Sequence, residues 1–154
     1  MFTIKCVVDN KSLDVASFQS EHGVAFAIQT PTGQVLFDTG QSGHVLVHNA
    51  ARLDIDLRQI NALALSHAHY DHTGGLNTFL RNSLPGIPLY AHPDITTERY
   101  SMKDNQLHSV GMRMPRAELM QRVTPYLSTE PCQIFPGIWT TGEITPRTEF
   151  LGSS

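Results

Sequence analysis

The segment Ser66-His67-Ala68-His69-Tyr70-Asp71-His72-Thr73 places three histidines and an aspartate within six positions, directly after the apolar run Ile60 to Leu65. A short apolar stretch bounded by polar residues reads as a buried strand. Gly74 and Gly75 follow, then Leu76, Phe79 and Leu80 at helical spacing, so the cluster occupies a tight turn between a strand end and a helix. Loops at strand ends are where sites are built, because the rigid scaffold holds reactive side chains there and leaves them open to a ligand. Neutral imidazole and carboxylate together suit zinc, with iron and manganese as further choices, and no thiolate lies nearby as a purely structural cysteine site would need. In extended backbone alternate side chains share a direction, so His67 and His69 can face one ion; as the chain turns, Asp71 and His72 can face a second. The plainer reading makes these polar loop residues, with Asp71 and His72 merely capping the next helix, but it leaves four ligand-type side chains in six positions unexplained. Thr73 suits a helix cap in either case.

The run His67-Ala68-His69-Tyr70-Asp71-His72, continued by Thr73-Gly74-Gly75-Leu76, resembles the His-x-His-x-Asp-His signature of the metallo-beta-lactamase superfamily. Val35-Leu36-Phe37-Asp38-Thr39-Gly40 is similar to that family's upstream strand, which ends in Asp-Thr-Gly. Within the superfamily, the stretch Leu65 to Leu76, the segment from Ser17-Phe18 to Gly23-Val24-Ala25-Phe26, and Gly137-Ile138-Trp139-Thr140-Thr141-Gly142 look most like the dihydropterin-ribofuranosyl-aminobenzene-phosphate synthases. The resemblance implies an α/β fold, the N-terminal portion of a four-layer αββα sandwich with a mixed sheet and flanking helices. It implies metal ligation by His67, His69, Asp71 and His72, a catalytic part for Asp71 in orienting the nucleophilic water, and a hydrogen bond from a buried Asp38 that fixes an imidazole. It further implies one or two zinc ions and hydrolysis of an ester, lactone or phosphate-type substrate by a metal-bound hydroxide.

Members of that family continue into a second αβ half that supplies further ligands, whereas the signature here gives each ion only two. His22, His44, His48, His92 and His108 remain as substitutes, and none sits in a second ligand motif. His92 follows the strand-like Pro88-Leu89-Tyr90-Ala91 and precedes Pro93, where a turn histidine is the ordinary reading. His44 and His48 are four apart on an expected helix and share a face, yet no carboxylate accompanies them at ligand spacing. Two other classes therefore stand beside the enzyme: a catalytically incomplete metal-binding fragment, and a half-domain interaction module completed by a second half or by a homodimer partner.

Composition sets outer bounds. The 154 residues suit a single domain over 1–154 with a sizeable core. A net charge of −3 gives no broad basic footprint for nucleic acid. Cys6 and Cys132 form no metal or redox spacing and are expected as free thiols. No stretch approaches a membrane span, and Met1 to Val8 lacks the features of a signal peptide, so the expectation is a cytoplasmic protein with a small-molecule substrate and no membrane partner.

Along the chain, Thr3 to Val8 reads as a strand and Asp9 to Asp14 as a polar turn. Val24 to Gln29 and Val35 to Phe37 read as a hairpin around Thr30-Pro31-Thr32-Gly33, Gly43 to Leu53 as a helix, and Leu89 to Ala91 as a strand. Residues 93–130 read as an irregular excursion or substrate loop. From Arg99 to Arg122 five basic residues (Arg99, Lys103, Arg113, Arg116, Arg122) stand against Asp104 and Glu118, a local excess of +3 that suits an anionic substrate against the alternative of a solvated surface. Gln133 to Thr141 suits one more strand, and Thr145 to Ser154 carries no closing element. A half sandwich of this kind exposes a sheet face and an edge, both costly in water.

Overall fold

The chain opens as an antiparallel meander of β1 (Thr3–Val8), β2 (Ala25–Thr30) and β3 (Gly33–Phe37) in the computed structural model, which describes residues 1–144. Thr30 closes the β2–β3 turn, its hydroxyl accepting from the N–H groups of Thr32 and Gly33 and donating to the Gly33 carbonyl. α1 (Gly43–Arg52) follows, with the Ser42 hydroxyl accepting from Val45 N at 3.3 Å as its N-terminal cap. β4 (Ala62–Ala64) pairs parallel with β3. The short α2 (Tyr70–Thr73) and then α3 (Leu76–Asn82) lead into β5 (Ile87–Ala91), parallel with β4.

Residues 93–130 hold regular structure where an irregular excursion was expected. β6 (Tyr100–Lys103) and β7 (Gln106–Ser109) form a separate hairpin, exposed throughout, and α4 (Arg116–Arg122) returns the chain to β8 (Val123–Leu127), which pairs parallel with β5. The single strand expected over Gln133 to Thr141 is instead the hairpin of β9 (Gln133–Phe135) and β10 (Ile138–Trp139), because Pro136 and Gly137, the latter with φ 87°, turn the chain between them. The stretch Thr145 to Ser154 lies outside the described residues.

The large sheet runs β1-β2-β3-β4-β5-β8, antiparallel at its start and parallel thereafter. Its register sorts the side chains by face. Leu36, Leu63 and Leu89 lie side by side on one face, packed with Val45 and Leu46 of α1, Leu76 and Phe79 of α3 and Leu119 of α4 in the main core. Full burial of such side chains is worth about 1.5–3 kcal/mol each. The opposite face carries Val35, Ala62 and Ala64 beside Ile28, Phe37 and Tyr90, and is roofed in part by Ile134, Phe135 and Ile138 from β9 and β10. The described residues thus form one helical layer and one mixed sheet of the expected sandwich. Met112, Met114 and Met120 pack against the main core, so most of the methionines in the former excursion fill gaps in it. Among the described residues no helix is long and apolar enough to cross a membrane.

Candidate metal centre

In a sheet with parallel strands, the carboxyl ends of those strands carry the ligand-binding loops. Here Asp38 directly follows β3, and Ser66 to His72 follow β4. Asp38 is fully buried with a positive φ of 58°, and its carboxylate organises the loop. It accepts from Ser66 N at 2.8 Å, from the Ser66 hydroxyl at 2.7 Å and from His72 Nδ1 at 2.7 Å. The family resemblance implies a hydrogen bond between Asp38 and an imidazole, and the Asp38 carboxylate lies 2.7 Å from His72 Nδ1.

Those bonds fix how the imidazoles are presented. An ionised carboxylate only accepts, so His72 holds its proton at Nδ1 and turns the Nε2 lone pair outward. Since the Ser66 hydroxyl spends its proton on Asp38, it accepts from His67 Nδ1 at 2.9 Å, which leaves Nε2 of His67 outward as well. His67 Nε2 then lies 3.2 Å from His69 Nδ1, and His72 Nε2 lies 3.5 Å from Asp71 Oδ2. A tetrahedral ion with bonds of roughly 2.1 Å separates its ligands by roughly 3.4 Å, so each of these pairs has the length of one coordination edge. The donor set therefore fits a divalent cation in kind and spacing. Among the described residues no group of three or more His, Cys, Asp or Glu side chains is closed around one point, so the centre consists of two edges, His67 with His69 and Asp71 with His72. By area His67 is open to solvent, yet its ring is crowded; desolvation, and then repulsion from His72 and His69, push its pKa below the usual 6.5 and favour the neutral, ligating form.

The remaining histidines separate cleanly. His92 Nδ1 accepts from Asp94 N at 3.1 Å and caps a turn, the role its place before Pro93 suggested, while its buried Nε2 has no hydrogen-bond partner. His44 and His48 lie stacked on α1, 6.4 Å between ring centroids, and His48 bonds to the Ser17 carbonyl. His108 sits on the exposed β7. His22, by contrast, is brought to the centre: its Nε2 lies 3.4 Å from Asp71 Oδ2. No local spacing announces it, because it arrives on the β1–β2 loop from far away in the chain.

Of the five basic residues in the Arg99 to Arg122 segment, four make internal contacts, Arg99 only a long 3.4 Å bond to the Glu98 carbonyl. Arg113 covers the Tyr70 ring at 5.5 Å, Arg116 donates to Thr96 Oγ1, and Arg122 donates to Asn77 and Glu118. Lys103 is exposed on β6. Arg99 alone among the five lines a cavity of about 710 Å³ that runs from Ser66 and His92 along Tyr90 to Tyr126 and Trp139. Cys6 and Cys132 are both free, as expected.

The profile of the metallo-beta-lactamase superfamily matches residues 21–136, a span that contains Asp38 and the whole histidine loop. The chain belongs to the metallo-beta-lactamase superfamily. Members of this superfamily generally bind metal ions. Among relatives, the 7,8-dihydropterin-6-methyl-4-(beta-D-ribofuranosyl)-aminobenzene-5'-phosphate synthase of Methanocaldococcus jannaschii is 31% identical over 133 residues, which cover 82% of this chain and 45% of the relative. Among solved structures, the Rm3 metallo-beta-lactamase aligns with TM-score 0.53 at 21% identity, over 76% of this chain and 44% of that one. A quorum-quenching N-acyl homoserine lactone lactonase aligns with TM-score 0.53 at 16% identity, over 77% and 49%. Both structural likenesses bear on the fold. The chain spans about half the length of the curated relatives it matches, 45% of one and 55% of another.

Proposed function

We propose that this chain carries the metal-binding half of a hydrolase that adds water across an ester, lactone or phosphate-type bond. The observation that carries the reading is the hydrogen-bond network on Asp38, which turns Nε2 of both His67 and His72 outward beside His69 and Asp71. In metal sites the non-ligating ring nitrogen of a histidine characteristically donates to a carboxylate or similar acceptor, and this chain's arrangement follows that rule. Zinc suits the mixed imidazole and carboxylate set, with iron or manganese as alternatives, in one or two ions. When bound, such a cation makes water a nucleophile near neutral pH and polarises the oxygen under attack.

The residues then divide the work. His67, His69, Asp71 and His72 hold the cation, and Asp38 keeps His72 in its ligating tautomer. Asp71 would also accept a hydrogen bond from the attacking water through its carboxylate and so orient the water's lone pair toward the substrate. Water oxygen bonds to the acyl carbon or phosphorus, the bond to the leaving oxygen breaks, and the proton lost by water ends on the alcohol released. Arg99, in the cavity wall beside Ser66 and His92, suits an anionic substituent on the substrate.

The test is zinc content and hydrolysis of a chromogenic lactone and a phosphodiester by the wild-type chain and by Asp71→Ala. We expect the variant to lose bound zinc and any turnover together. An Asp71→Ala chain that keeps both at the wild-type level would sink the reading.

A second reading is favoured by one specific observation, the apolar sheet face bordered by that cavity. In it the chain is a half module, catalytically silent until another αβ unit covers this face and completes the ligand set. Added zinc that binds without turnover would support it over the stand-alone enzyme.

A further inference from the structure

We propose that His22 is a third ligand on the Asp71–His72 side of the centre, closing those two donors into a site for a divalent cation of the zinc class. The inference rests on the metal-centre reading above, and it names a residue outside the His-x-His-x-Asp-His signature.

Three observations converge on it. The first is the tautomer of His22. Asn10 Oδ1 accepts from Gly23 N at 3.1 Å, and a backbone N–H can only donate, so the atom facing it is the amide oxygen. The same oxygen lies 3.2 Å from His22 Nδ1, which must therefore carry a proton. In the neutral imidazole the Nε2 lone pair then points away from Asn10, and Nε2 lies 3.4 Å from Asp71 Oδ2. His72 reaches the same carboxylate oxygen at 3.5 Å, with its own Nδ1 engaged by Asp38. With both rings neutral, two imidazole lone pairs therefore flank one carboxylate oxygen. Such a meeting is repulsive until a cation enters it, and both distances match the roughly 3.4 Å edge of a tetrahedral site.

The second is the backbone that delivers His22. Gly23 has φ 124°, and a Cβ there would collide with the Asp71 carbonyl, so only glycine lets the β1–β2 loop press its backbone against the ligand loop. The third is that this loop is pinned from several directions. Glu21 accepts from Gln41 N at 3.0 Å and Ser42 N at 2.8 Å. The buried Asn49 of α1 donates to the carbonyls of Val7 and Gln19 and accepts from Gln19 N. Gly40 N donates to the Val24 carbonyl at 3.0 Å. The backbone is fixed, and the ring, with its side chain 64% exposed, is held at Nδ1 by Asn10 and presents Nε2 to Asp71. Among the described residues the three do not yet surround one point, and the entry of a cation is what would draw them together.

The experiment is a zinc chloride titration of the whole 154-residue chain, followed in long-range proton–nitrogen correlation spectra of the histidine rings. We expect Nε2 of His22 and Nε2 of His72 to shift together as one site fills, while Nδ1 of each stays protonated. A shift at His72 with His22 unmoved, or His22 doubly protonated throughout as a plain ion pair, overturns the inference and leaves the metal-centre reading standing. Zinc that moves no histidine overturns both. Calorimetry gives an independent readout: Asn10→Ala, which frees the His22 ring, should weaken one zinc site by about 10–100-fold. His22→Ala should weaken that site at least as much, with His69→Ala acting on the other edge. Wild-type zinc affinity in a His22→Ala chain with an unchanged circular dichroism spectrum also rejects the proposal.

Discussion

At the scale of the residue, the centre depends on one buried carboxylate. Asp38 has no solvent exposure and three donors, so a replacement there removes both charge and hydrogen-bond capacity at a point water does not reach. Alanine would confound the result, because at φ 58° it also meets backbone strain. Asparagine tolerates that conformation and isolates the chemistry. Its amide nitrogen must face one of the donors, leaving a buried group unpaired at a cost of about 1–3 kcal/mol. We therefore expect Asp38→Asn to fold with lowered urea stability and to bind zinc about 10–100-fold more weakly, since His72 loses the partner that sets its tautomer. Calorimetry and urea denaturation check the two halves of the statement, and unchanged zinc affinity would refute the second. The candidate ligand pairs were legible in sequence because they lie within six positions, whereas Asp38 was named through the resemblance of Val35 to Gly40 to the family's upstream strand. His22 was not legible, since only the folded approach of Gly23 to Asp71 brings it there.

At the scale of the element, the strand–turn–helix unit works because two loops touch through backbone. Thr39 donates from both its N–H and its hydroxyl to the His72 carbonyl, at 2.8 and 2.9 Å. Gly75, at the start of α3, lies against the Thr39 carbonyl closely enough that an added Cβ would collide with it. The backbone of Gly75 is right-handed helical, with φ −78° and ψ −7°, a conformation that favours alanine on propensity alone. Packing opposes propensity here, and packing should win, because the obstructing atom belongs to a backbone that Asp38 and His72 already hold. We expect Gly75→Ala to destabilise the chain by about 1–3 kcal/mol in urea denaturation. A stability gain would show that the two loops part without cost. The same contrast explains which elements sequence pattern revealed. β1 to β5 are short runs bounded by turn residues, and α1 and α3 carry buried stripes, so periodicity found them. β6 and β7 are exposed at every position and α4 buries only Leu119, so neither leaves an apolar stripe to read. β8 contains Pro125, which looks like punctuation in sequence and is tolerated because β8 is an edge strand of the sheet among the described residues.

At the scale of the whole molecule, the two faces of the sheet are unequal. One is sealed by helices, while the other carries Tyr90 and Tyr126 stacked at 4.9 Å and leaves Ile4 and Tyr126 exposed by 68% and 47%. The register places Ile4 opposite Ile28 and Tyr126 opposite Tyr90, so both belong to this open face. Exposed apolar side chains at the two ends of this face hold water unfavourably and draw whatever apolar surface they meet. For the isolated 154-residue chain we expect concentration-dependent self-association in light scattering coupled to size exclusion, together with binding of a hydrophobic dye by the folded state. The double variant Ile4→Thr, Tyr126→Ser should reduce both. Its stability should fall by about 1 kcal/mol, chiefly through the lost Tyr90–Tyr126 stacking, because Ile4 already faces solvent. A wild-type chain that stays monomeric at high concentration and binds no dye would mean that the β9–β10 hairpin covers the face adequately by itself. Self-association that survives the double variant would assign it to another surface, such as the β1 edge, which pairs with no further strand among the described residues and is the other place where a strand can add.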